Sequence, residues 1–125
     1  MSELLFQQEG YELIGAVIEV HQVLGGGMAE EIYQEALEIE LFARKIPFAT
    51  KSPVAAMYKG TLLSKQYFPD LIVHHEIILE LKAVSKLLPE HDAQLLNYLR
   101  ITGKRVGYLV NFAPVERVEW KRFLV

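Results

Sequence analysis

Apolar residues recur at helical spacing over residues 11–24, "YELIGAVIEVHQVL", where Leu13, Ile14, Val17, Ile18, His21 and Leu24 align. "GGG" at 25–27 ends that helix, as glycines past a C-terminus do. A second helix is expected over roughly 28–45, with Ile32, Tyr33, Ala36, Leu37 and Ala43 on its apolar side and Glu31, Glu35 and Glu38 on a solvated face. From Ile46 the period changes. Pro47 and Pro53 suit strand ends or edges. "VAAMYKGTLLSKQYF" predicts a hairpin turning at Lys59-Gly60, and "DLIVHHEIILELKA" predicts two strands joined by a tight turn near His74 to Glu76. Residues 89–102 read as a helix that starts at Pro89 and stops at Gly103. "VGYLVNF", 106–112, is an apolar strand. "VERVEWKRFLV" offers Val118, Trp120 and Phe123 but no firm period, so a short strand or an irregular segment is expected there.

The order is two helices, mainly antiparallel strands, one helix, then one or two strands. A helix between the Glu80 strand and the 106 strand implies a crossover that makes those two parallel. The expected class is α/β, a mixed sheet covered by helices.

Composition narrows this only modestly. The 125 residues suggest one domain over 1–125, and 51% hydrophobic with 23% charged residues is ordinary for a soluble globular chain. No apolar run approaches the ~18 residues of a membrane span, and no leader resembles a signal peptide. With no cysteine, neither a disulfide framework nor a thiolate metal site is available, and a cytoplasmic location is the default expectation. The net charge of −3 does not invite nucleic acid globally. Its distribution is uneven. Residues 1–45 hold nine Glu (3, 9, 12, 19, 30, 31, 35, 38, 40) against Arg44 and Lys45. Residues 100–125 hold six bases (Arg100, Lys104, Arg105, Arg117, Lys121, Arg122) against Glu116 and Glu119. That basic third is a candidate for phosphate contacts, and a solvated surface is the plainer account.

The chemistry concentrates in "FPDLIVHHEIILELKA". Ile78, Glu80 and Lys82 share one side of their strand, and Ile77, Leu79, Leu81 and Ala83 line the other. The apolar side can pack on helices, which leaves the charged side to face a cleft or another charge. A short hairpin brings Asp70 near Glu80. Two carboxylates at close range repel, and one is expected to hold a proton unless a divalent cation joins them. Hard oxygen ligands with room for water suit Mg²⁺ or Mn²⁺. The competing account is an ion pair between Glu80 and Lys82 on an exposed sheet face.

"PD" at 69–70 with "ELK" at 80–82 resembles the signature of the PD-(D/E)XK nuclease superfamily. "GMAEEIY", Gly27 to Tyr33, matches G-x-x-E-x-x-Y, and "HDAQLLNYLRITGKRVGYLVNF", 91–112, is similar to the later block of the GxxExxY family. The resemblance runs from about residue 11 to residue 124. It implies a restriction-endonuclease-like core, a mixed central sheet flanked by helices. It further implies a metal site at Asp70 and Glu80, completed by the backbone carbonyl of Leu81, with Lys82 as the catalytic lysine. Glu30 fits an additional acid from the first helical region, and Gln94 and Tyr98 match Q-x-x-x-Y residues that position substrate and lysine. The family usually has Pro where this chain has Gly26, which is expected to loosen the loop without touching chemistry.

Helical geometry alone does not choose between Glu30 and Glu40. Glu30 lies at the edge of the apolar stripe, where it could simply oppose the helix dipole, and Glu40 is a candidate for a structural ion pair. His91, Gln94 and Tyr98 form one polar stripe on the later helix, between Leu95 and Leu99. For His91, substrate contact, proton relay and a helix-end role are all open. His74 and His75 are expected to be exposed, and His21 to be a satisfied core histidine. The function expected is metal-dependent phosphodiester hydrolysis of DNA, or less readily RNA, with Arg100, Lys104, Arg105, His91, Gln94 and Tyr98 on the substrate. The alternative is a non-catalytic nucleic-acid or protein-binding module. A nucleotide-binding P-loop is excluded, because "GGG" lacks the Lys and Ser/Thr that should follow. So short a chain has little surface to grip a duplex, so a homodimer or a larger complex is expected.

Overall fold

A computed structural model describes residues 5–125; Glu3, counted in the acidic third, lies outside them. Helices α1 (Gln7–Leu24) and α2 (Glu30–Ala43) come first. Strands β1 (Phe48–Thr50), β2 (Met57–Tyr58), β3 (Thr61–Leu62), β4 (Leu71–Val73) and β5 (Ile77–Lys82) follow. Helix α3 (Pro89–Thr102) then leads to β6 (Val106–Asn111) and β7 (Glu119–Leu124). Five strands form one sheet in the order β1-β4-β5-β6-β7, and β2 and β3 make a separate hairpin turning at Lys59-Gly60. Among the described residues only β5 and β6 run parallel, as the α3 crossover requires; the other pairs are antiparallel.

Both faces of β5 are covered. Ile77, Leu79 and Leu81 join α1 and α2 through Leu13, Val17, Tyr33, Leu37 and Leu41. Ile78, on the face shared with Glu80 and Lys82, is buried in a cluster with Leu95 and Leu99 of α3 and Leu109 of β6. The charged face is therefore not open along its length, and only its Glu80–Lys82 end is left for chemistry. On α1 the buried stripe includes Ala16 and Val20, while Ile18 is exposed. On α2 it is Tyr33, Leu37 and Leu41, with Ile32 and Ala43 turned outward. Glu40 pairs with Arg44 at 2.7 Å, an i,i+4 surface contact.

The loop between α1 and α2 is clamped. Tyr33, fully buried, donates its hydroxyl to Gly25 O at 2.6 Å and accepts the Met28 N–H, and its ring stacks on Phe112. His21 is 5% exposed and contacts Pro114 O through Nε2 at 2.6 Å, a satisfied core histidine. Gly26 packs closely here. A Cβ there would meet Ala113 O and Pro114 O at 2.5 Å, so its backbone lies directly on the 113–114 segment. Gly26→Ala is expected to lower stability by about 1–3 kcal/mol, the usual cost of overpacking against atoms that cannot retreat. Denaturant midpoints would check this, and an unchanged midpoint would refute it. Among the described residues no helix is long and apolar enough to cross a membrane.

Candidate active site

The β4–β5 hairpin sets the site. His74 and His75 both adopt left-handed φ, 53° and 67°, in the tight turn. Pairing then runs Val73 with Ile77, Ile72 with Ile78 and Leu71 with Leu79. One step further, Asp70 meets Glu80. The Asp70 N–H donates to Glu80 Oε1 at 3.2 Å, and the Leu81 N–H donates to Asp70 Oδ2 at 2.8 Å. Of the turn histidines only His75 is exposed; His74 is half-buried, with Nε2 3.4 Å from Glu12.

Three side chains that local spacing does not mark complete the arrangement. Tyr67, 7% exposed, donates its hydroxyl to Glu80 Oε1 at 2.5 Å. Lys51 places Nζ 3.0 Å from Asp70 Oδ1. Gln34 on α2 donates to Asp70 O at 3.1 Å. The one hint in the sequence is that the stretch from Leu41 to Pro69 holds bases and no acid.

Glu80 forms no ion pair with Lys82 among the described residues; its partners are Tyr67 and the Asp70 amide. Burial first, and then the Asp70 carboxylate, push Glu80 up to about 7, against the opposing pull of the Tyr67 hydroxyl, the Asp70 N–H and Lys82. Glu30, at the start of α2, is also raised, by burial first and then by Asp70, while Lys82 and Lys51 pull it down. Glu30, Asp70, Glu80, Lys51 and Lys82 thus share one field. Tyr67 is pushed up by burial and by the Glu80 charge, so it remains a donor. Lys51 is raised chiefly by its hydrogen bond to Asp70.

The later helix divides. Leu95 and Leu99 anchor it, as expected. Tyr98 stacks on Tyr67 with centroids 3.9 Å apart and planes 9° from parallel, so it reaches Glu80 only through another ring. Gln94 is exposed in a shallow groove with Glu90, Asn97 and Ile101. His91 accepts the Leu88 N–H on Nδ1 at 3.0 Å, which caps the helix start. Arg100, Lys104 and Arg105 are not brought to the acids. Lys104 and Arg105 precede Val106, which pairs with Ile77, while the acids lie at the end where Lys82 pairs with Asn111. At ~3.3 Å per residue that separates them by roughly 16 Å. Arg100 sits in the last turn of α3 beside Asn97. Several of the bases are also engaged within the chain: Lys104 with His75 O, Arg105 with Val125 O, Lys121 with Asp92 and Arg122 with Leu5 O.

The donors fit a hard divalent cation only sparsely. Among the described residues no three His, Cys, Asp or Glu side chains are gathered into a metal-ready group. Two carboxylates with a backbone carbonyl, the rest being water, is nonetheless the donor set that Mg²⁺ accepts. An apolar hollow lined by Phe42, Lys45, Ile46 and Phe48 contains no carboxylate.

Comparisons with known proteins bear on the fold and the family. The pattern of the PD-(D/E)XK nuclease superfamily matches residues 7–123. No curated protein matches the chain. The crystal structure of SSO0001 is similar at 24% identity with a TM-score of 0.58, over 75% of this chain and 48% of that one. An alkaline exonuclease (LHK-Exo) from Laribacter hongkongensis is similar at 14% identity with a TM-score of 0.53, over 75% of this chain and 55% of that one. The chain therefore spans about half the length of these structures, and at these identities they speak to the fold alone. With a mixed five-stranded sheet, three helices and a restriction-endonuclease-like fold, this chain belongs to the PD-(D/E)XK nuclease superfamily.

Proposed function

We propose that this protein hydrolyses phosphodiester bonds in nucleic acid, DNA ahead of RNA, with Mg²⁺ or Mn²⁺ as cofactor. The observation that carries this reading is the convergence of Asp70 and Glu80, hydrogen-bonded to each other's backbone neighbourhood, in a field shared with Glu30 and Lys82. Asp70 and Glu80 would hold the ion, with the Leu81 carbonyl beside them. Leu81's N–H points to Asp70, and a strand residue's N–H and C=O face the same neighbour. A bound Mg²⁺ or Mn²⁺ would lower the pKa of water and offset charge developing on phosphate. Tyr67 fixes Glu80, and Tyr98 holds the Tyr67 ring. Lys82, on the same strand face as Glu80, would orient the nucleophile or neutralise charge developing in the transition state. Glu30 supplies further negative charge toward the cation. Lys51, Lys59 and Lys65, in the acid-free stretch before Asp70, suit contact with a phosphate backbone. Gripping a duplex would call for a second copy or a larger partner.

The test is cleavage of plasmid and single-stranded DNA in Mg²⁺ or Mn²⁺, with Glu80→Gln as control. Absence of cutting with every divalent ion tried refutes the enzyme reading. A second reading, a binding module that keeps the fold, is favoured by one observation: Asp70 already has both oxygens bonded within the chain. Cation-independent DNA binding without cleavage would select it.

A further inference from the structure

The two bonds to Asp70 differ in kind. The Leu81 N–H on Oδ2 belongs to the sheet margin and fixes the carboxylate. The ammonium on Oδ1 belongs to a lysine whose side chain is 60% exposed, on a flexible four-carbon stem. Glu80 Oε1 takes both the Tyr67 hydroxyl and the Asp70 N–H, and no hydrogen bond reaches Oε2 among the described residues. Asp70 Oδ1 and Glu80 Oε2 are therefore the oxygens a hard cation would take, and Lys51 Nζ stands on the first of them. Two positive ions cannot occupy one oxygen at contact distance without strong Coulomb repulsion.

We propose that Lys51 is a placeholder for the cation: its ammonium neutralises Asp70 until a divalent ion displaces it, and the released side chain then contacts a substrate phosphate. This rests on the metal-site reading above. The backbone supports an exchange rather than a departure. The Lys51 N–H donates to Asp70 O at 3.3 Å, and Lys51 holds a left-handed φ of 48°. The Cα stays beside the site while the stem swings. A nearby lysine that is ion-paired before loading and available afterwards couples cation binding to phosphate binding through one side chain.

The two roles have opposite signs on removal, which an ordinary ion pair would not produce. Mn²⁺ binding is measured by electron paramagnetic resonance at low salt on the wild type, Lys51→Met, Lys51→Gln and Lys51→Arg. The Met and Gln variants are expected to bind Mn²⁺ about two- to fivefold more tightly, the scale of an exposed pair, while Arg stays near the wild type. Cleavage by the same two variants should show KM for DNA raised about three- to tenfold, with a salt dependence of log KM shallower by about one phosphate contact. Equal or weaker Mn²⁺ binding by both variants overturns the placeholder and leaves the metal site standing. Tighter Mn²⁺ binding with unchanged KM overturns the phosphate contact. No Mn²⁺ binding by any of the four proteins overturns the metal site and the placeholder together.

Discussion

Lys82→Ala is expected to lower cation-dependent DNA cleavage by about 10²–10⁴-fold, the range for a group that moves a proton or meets developing charge in the transition state. Lys82 is half-buried at the end of β5, on the side of the strand that carries Glu80. It makes no ion pair among the described residues, yet its charge acts on both Glu30 and Glu80. A lysine held near acids without being consumed by one of them is available for catalysis. Mn²⁺ affinity in Lys82→Ala should be equal to or slightly above that of the wild type, because a like charge has been removed. Glu80→Gln should fail at the earlier stage, losing the cation and with it the cleavage. Single-turnover rates with measured Mn²⁺ occupancy separate the two. A Lys82→Ala protein that retains more than about a tenth of wild-type activity would remove this lysine from the chemistry.

The second large effect is on stability without metal. Glu80 is held near 7 in the folded protein, against an ordinary value of 4.5. Its pKa is raised on folding, so the folded state binds the proton more tightly than the unfolded one. The resulting stabilisation is complete below about 4.5 and is lost as pH rises through about 7, amounting to roughly 3 kcal/mol. In EDTA, urea midpoints should fall across that window, and Glu80→Gln should flatten the curve. Saturating Mn²⁺ should reverse the trend, because the cation needs the carboxylate: its affinity should rise about tenfold per pH unit up to 7 and then level off. A metal-free midpoint that is constant or climbs from pH 5 to 8 would contradict the buried-acid account.

Much of the site was readable because its core is local. Asp70 and Glu80 are ten positions apart, joined by a short hairpin whose register the alternation of apolar residues dictates. Helix α3 was equally legible, bracketed by Pro89 and by Gly103 at φ 76°. Lys51 and Tyr67 were not. Lys51 lies just past β1 and Tyr67 at the Val54–Tyr67 bridge beyond the short β2–β3 hairpin, and they reach the acids only when the chain closes on itself. Helix α1 begins at Gln7 rather than Tyr11, and within its first turns Gly10 leaves room for the Tyr108 hydroxyl. Strand β7 lacked a period because it is an edge strand with little burial on either side. Arg100, Lys104 and Arg105 look like neighbours of the active end on paper. The parallel crossover returns the chain to the opposite end of the sheet before it reaches them.

The ring pair of Tyr67 and Tyr98 gives the molecule a built-in optical gauge. Two phenols stacked at 3.9 Å couple their electronic transitions, so near-ultraviolet circular dichroism carries a signal from this spot. One of those rings also carries the hydroxyl that seats Glu80. A shift of that ring would change this contribution, which adds to those of the other tyrosines and of Trp120.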